Sequence, residues 1–240
     1  MPSWLIFDVG RNGKMKCILP IIAVLVCVAA AASRVPIDQV PMYGGLDRQA
    51  VPELKKGDQN FVEAVAKEFG SRERAAEKWI EQGFRFYGSN DIANAMRRFN
   101  QAWLLDPKNP QVFWGFGAVL HDQDQAFAAY EMFKRGYDLG LRDPQFLADL
   151  GKVALVRIVE RKHLPADQRS AFKKESETYF EEAIKSEKNL AYIYGVWASA
   201  RYWQEDYAGA WQKVALARKY GPISSPGFLK RLSEKMPEPK

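Results

Sequence analysis

The chain has 240 residues, with 35 Lys and Arg against 29 Asp and Glu, a formal net charge of +6, two cysteines and two histidines. Cys17 and Cys27 both fall in an apolar N-terminal run, so a disulfide scaffold, thiol catalysis and Cys/His metal sites are excluded from everything that follows it. Opposite charges interleave, as in Arg72-Glu73-Arg74, without the clustered basic face that nucleic-acid binding requires.

Residues 1–32 have the layout of a secretory signal peptide: Arg11, Lys14 and Lys16, then an apolar run from Cys17 to Ala32 broken only by Pro20. Ala29 to Ser33 are small, which suits cleavage after Ala32, and Met15 serves equally as the start. Two alternatives stay open. One is an uncleaved anchor, since the run of 16 is only slightly short of the ~20 residues of a spanning helix. The other is a lipid on Cys27, where Val26 replaces the small residue expected before it. Membrane contact is expected only through this leader, if it is uncleaved. Losing Asp8, Arg11, Lys14 and Lys16 with it lowers the net charge from +6 to about +4 and leaves a chain long enough for a substantial core.

Residues 33–57, with Pro36, Pro41, Gly44, Gly45 and Pro52, read as an extended or loosely docked arm. A capping helix is expected over 58–70, with Asp58 as its N-cap, Phe61, Val62, Val65, Ala66 and Phe69 on one face, and Gly70 as its stop. Three glycines then recur 34 residues apart, Gly83, Gly117 and Gly151, each four residues after a large apolar residue: Trp79, Phe113 or Leu147. A fixed period of this length announces a helical repeat array, in which stacked helix pairs bury the faces that none can bury alone.

The first unit, 76–109, carries Trp79, Gly83, Phe86, Ala95, Phe99, Ala102 and Pro107, with Ser71 capping its first helix and Gly88-Ser89-Asn90-Asp91 turning into its second. The second, 110–143, supplies Phe113, Phe116, Gly117, Leu120, Ala129 and Phe133, with Gly136 at the third small position. In the third, 144–190, the first helix is expected to run to about Lys162. An insertion from His163 to Arg169 precedes a helix with Tyr179, Phe180, Ala183 and Ile184. The fourth, 191–222, is diverged and holds Tyr194, Trp197, Ala198, Ala210, Val214, Ala217 and Pro222. Over 223–240, Ser225-Pro226 opens a short capping helix with Phe228, Leu229 and Leu232.

These positions resemble the tetratricopeptide repeat, over roughly residues 76–222. The resemblance implies an all-α, right-handed superhelical solenoid of antiparallel helix pairs, three to four repeats plus caps, with a concave face lined by first helices. Pro41-Met42-Tyr43-Gly44-Gly45 also looks similar to the arm of uncharacterised exported bacterial proteins of that family, which implies a periplasmic location.

No Gly-rich phosphate loop, dinucleotide fingerprint or serine elbow appears, so no enzyme activity and no cofactor or metal is expected. His121-Asp122-Gln123-Asp124 is the one polar cluster to weigh, and it reads as a helix end and turn. The resemblance places Glu77, Ile80, Phe84 and Tyr87, then Gln111, Trp114, Ala118 and His121, on the concave face. Gln145, Ala148, Lys152 and Leu155, then Tyr192, Gly195, Ser199 and Tyr202, follow. Relatives that clamp a peptide carboxylate carry Lys, Asn and Arg where this chain has Ile80, Phe84, Gly115, Gln145 and Asp149, so that clamp is absent.

The candidate partner-binding residues are therefore Phe84, Tyr87, Trp114, His121 and Tyr202, with Trp114 as the foremost surface anchor because Phe113 already fills the neighbouring core position. The competing reading makes the same aromatics inter-repeat core. Three functions follow in order: an exported module that docks a protein or peptide partner, a self-associating structural repeat, and a carbohydrate binder. The insertion at 163–169 is either a source of specificity or an inert loop.

Overall fold

The computed structural model describes residues 35–160, 164–222 and 226–240. The leader over 1–32, the expected helix end near Lys162, His163 and the Ser225 cap lie outside the described residues. Among the described residues the chain is all-α, with ten helices and no strand. None of these helices is long and apolar enough to cross a membrane.

Before the first helix the arm makes three short 3-10 turns, Ile37–Gln39, Pro41–Gly45 and Arg48–Ala50. It is docked firmly on the body. The buried side chain of Asn100 accepts from the Tyr43 amide at 3.1 Å and donates to the Asp38 and Val40 carbonyls at 3.1 and 3.0 Å. Three successive residues, Met42, Tyr43 and Gly44, are left-handed there, with φ of 49°, 52° and 69°. Two of the three have a Cβ, so this turn stores strain that the Asn100 bonds and the packing of Met42 against the core offset.

The first helix, α1, spans Pro52–Phe69 and so starts six residues earlier than the sequence signal at Asp58. Pro52 suits a first turn, where the missing N–H costs nothing. Asp58 lies inside the helix, not at its cap; it is buried and takes the Arg48 guanidinium on both oxygens at 2.7 and 2.6 Å.

Eight helices follow: α2 (Arg72–Gly88), α3 (Ile92–Leu105), α4 (Pro110–Asp122), α5 (Ala126–Asp138), α6 (Pro144–Glu160), α7 (Ala166–Ile184), α8 (Leu190–Trp203) and α9 (Tyr207–Arg218). Their starts are written locally. Ser71, Asp91, Asn109 and Asp206 each accept from a backbone amide of the following first turn, at 2.9 to 3.2 Å. The closest packing joins α2 to α3, α4 to α5, α6 to α7 and α8 to α9. The last helix, α10 (Pro226–Lys235), lays Phe228 and Leu232 over Ala198, Trp211 and Val214.

The three periodic glycines mark where these helices cross. A Cβ on Gly83 would stand 2.5 Å from Phe99, one on Gly117 2.7 Å from Phe133, and one on Gly151 3.0 Å from Phe180. Each crossing therefore admits a fully buried phenylalanine ring from the second helix only because the first helix has no side chain there. In the first two pairs the glycine and its ring are 16 residues apart, and in the third 29. The extra length lengthens helices: α6 has 17 residues and α7 has 19, and residues 166–169 of the expected insertion form the first turn of α7.

The longer pair is pinned by polar groups. Arg157 is 5% exposed, its guanidinium 3.4 Å from the Tyr130 ring centroid and 2.5 Å from Glu175 Oε2. Tyr130 and Tyr179 both donate to Glu175 Oε1.

Candidate functional site

Helices α2, α4, α6 and α8 each contribute side chains to one cavity of about 270 Å³. Helical spacing puts Phe84 and Tyr87 on one face of α2, and Trp114, Ala118 and His121 on one face of α4. Asp149, Lys152 and Val153 come from α6, and Tyr192 from α8. Four of the five sequence candidates, Phe84, Tyr87, Trp114 and His121, are thus brought together.

Trp114 is part of the wall, not a free anchor. Its ring meets Phe84 edge-on at 5.2 Å and Phe146 at 5.8 Å, and its indole N–H donates to Asp149 Oδ2 at 3.1 Å. Tyr192 donates to the other oxygen of Asp149 at 2.7 Å. One carboxylate therefore ties α4, α6 and α8 at the chamber wall. Burial pushes the Asp149 carboxyl above its ordinary pKa, although both hydrogen bonds and nearby Lys152 oppose the shift.

Burial, then the nearby Asp122 carboxylate, raises the Tyr87 phenol. Burial, and then the charge of Lys152, lowers His121 to about 4, with Asp122 and Asp124 pulling the other way. The imidazole is therefore neutral at pH 7, one nitrogen donating and one accepting. Lys152 has no carboxylate within 4.0 Å among the described residues.

A wider cavity of about 760 Å³ opens next to the first and shares His121, Asp122 and Lys152 with it. Its other walls are Asn90, Asp124, Val156 and Trp203, a residue that is 52% exposed.

No protein-family model matches the chain, and no curated protein matches it significantly.

Tyr202 lies away from both cavities. Its ring packs on Trp203, Tyr207 and Phe228 at 5.6, 5.6 and 5.8 Å, under α10. At 100° per residue Trp203 stands about 20° around the helix from Tyr192, whereas Tyr202 is about 80° to the other side. The side chain that reaches the cavity is therefore Trp203. A similar shift occurs in α6, where Ala148 and Leu155 are buried in the core and Asp149, Lys152, Val153 and Val156 line the cavities. This helix packs on α5, α7 and α8 at once, so its apolar face is claimed from several sides. Ile80, expected on the groove, is likewise 2% exposed and part of the core.

Asp149 carries a signal that sequence reasoning passed over: from Phe146 to Val156 it is the sole acid and Lys152 the sole base in an otherwise apolar run. An isolated charged pair on a helix so apolar marks a face with a polar task. Asp122 and Trp203 carry no such signal, because helix-end acids and aromatics are ordinary.

Proposed function

We propose that this chain is an exported, non-catalytic interaction module of the tetratricopeptide type, a right-handed solenoid of antiparallel helix pairs that holds a peptide or partner segment in the groove of its first helices. The observation that carries the reading is the cavity to which α2, α4, α6 and α8 all contribute. The glycine crossings at Gly83, Gly117 and Gly151 support the repeat assignment, because each solves the same close approach in the same way. Export and a periplasmic role as adaptor or assembly factor rest on the leader over 1–32.

The chamber suits binding better than reaction. Asp149 is engaged by Trp114 and Tyr192, and among the described residues His121 is not paired with a nucleophilic hydroxyl. An apolar side chain entering between Phe84, Trp114 and Val153 displaces water without leaving these groups unpartnered.

The test places a photo-crosslinking amino acid at Val156, in the groove, and in a control at Leu139, which is 44% exposed outside both cavities. A partner cross-linked from position 156 but not 139, and lost when Ala118→Leu fills the chamber, supports the groove. Equal labelling from both positions, or none, removes it. Cross-links only to a second copy of the chain replace the reading with self-association. N-terminal sequencing of the envelope-fraction protein should begin at Ser33; an intact leader would replace cleavage with anchoring.

A further inference from the structure

We infer that the segment bound in this groove presents a lysine or arginine side chain next to a large apolar one, the apolar group entering the inner chamber and the cation resting at the rim; this rests on the groove reading above. The two cavities differ in chemistry. The inner one is walled by Phe84, Trp114, Ala118 and Val153, and its volume of about 270 Å³ accepts one large apolar side chain.

The outer cavity is built from helix ends. Asn90 lies just beyond α2, Asp122 is the last residue of α4 with Asp124 in the turn after it, and Trp203 is the last residue of α8. Three helix C-termini therefore converge there with their negative ends, and two exposed carboxylates add to that field. Asp124 has no cation within 4.0 Å among the described residues. The exposed Trp203 indole supplies an aromatic face of the kind a guanidinium or ammonium group covers.

The remaining charges on the lining agree with this placement. Neutral His121 adds no positive charge at pH 7. Lys152 stands where the two cavities meet, and its charge keeps a second cation out of the chamber and at the mouth. Arg201, two residues earlier on α8 and so on its other side, is already held by Glu177 at 2.7 Å and Asp206 at 3.0 Å. The rim therefore carries the exposed acids, the chamber an apolar surface whose one buried carboxylate, Asp149, is already taken by Trp114 and Tyr192, and the boundary between them one lysine.

A random decapeptide library displayed on phage, panned against the full chain, tests the inference. Enriched sequences should carry Lys or Arg within two positions of Phe, Leu, Met or Trp. The consensus peptide should bind the Asp122→Asn/Asp124→Asn protein at least fivefold more weakly than the parent. Changing its basic residue to Gln should weaken binding to the parent by the same factor and to the variant hardly at all. Both substitutions lie on an exposed helix end and turn, and circular dichroism checks that helicity is unchanged.

A consensus that is acidic or uncharged, or equal binding by parent and variant, overturns the inference. If Ala118→Leu abolishes that binding, the groove reading survives it. Binding indifferent to Ala118→Leu, or no enrichment at all, overturns both.

Discussion

Helix α4 has two working sides that obey different rules. On one, Gly117 opens a gap for the Phe133 ring, as Gly83 does for Phe99 and Gly151 for Phe180. On the other, Trp114, Ala118 and His121 face a cavity to which α2, α6 and α8 each bring different chemistry. The crossing is periodic because each pair meets the same steric problem, two helices close enough to interlock over a buried ring. The groove is aperiodic because each helix there faces a different neighbour. Stability should therefore reside mainly in the crossings, and selectivity in the groove.

The largest effect should come from emptying a crossing. Phe180→Ala, at a crossing ring that lines neither cavity, is expected to cost about 3–5 kcal/mol, the usual range for a fully buried ring, read as a lower denaturation midpoint. A milder loss at Phe180 than at Trp203 would break the comparison.

Filling a crossing comes next and grades it. Gly117→Ala drives a methyl to 2.7 Å from the Phe133 ring and should cost about 1–3 kcal/mol despite alanine's better helix propensity. Gly151→Ala, at 3.0 Å from Phe180 in the longer third pair, should cost less. Urea titrations of the two variants side by side give the order.

Asp149 joins the two regimes, since it serves the groove wall yet ties three helices. Asp149→Ala leaves the Trp114 N–H and the Tyr192 hydroxyl without their acceptor. A loss of about 1–3 kcal/mol is expected, together with a changed indole emission. An unaltered midpoint would show that the carboxylate serves binding alone.

The pH response sharpens the groove side. Burial holds His121 at about 4 in the fold, against 6.5 for the free side chain. Its neutral form contributes stability that is complete above pH 6.5 and is lost as pH falls toward 4, on the order of 2 kcal/mol. The raised Asp149 carboxyl works in the opposite sense, because the folded state takes up its proton first. The clean measurement is thus the difference between the parent and His121→Gln from pH 7 to 4, which should shrink the acid loss. Smallest of all, Trp203→Ala should move the midpoint by no more than about 0.5 kcal/mol while weakening groove binding.

The legible parts of the molecule were those governed by local rules. The start of α2 follows from Ser71 and the turn into α3 from Gly88-Ser89-Asn90-Asp91, and the close approaches follow from glycines in register with phenylalanines. Where a signal was generic it misled. Asp58 has the chemistry of a cap but serves as the partner of Arg48 inside α1. The arm, rich in Pro and Gly, looked loose but is fastened by one buried amide 57 to 62 residues away, and no local pattern announces that bond.

The sequence by itself determined an all-α chain and the placement of α2 to α5, because helical periodicity carries apolar side chains on one face wherever the helix packs; the shared face of Phe84, Tyr87, Trp114 and His121 was implied by the resemblance to the repeat family. Only the tertiary structure decided that Trp203 and not Tyr202 reaches the groove, that Asp149 and not Ala148 faces it from α6, and that Trp114 is held in the wall. Those outcomes depend on the rotation of each helix about its own axis. That rotation is set by the neighbours it packs against, and a shift of one residue, 100° around the helix, exchanges core for surface.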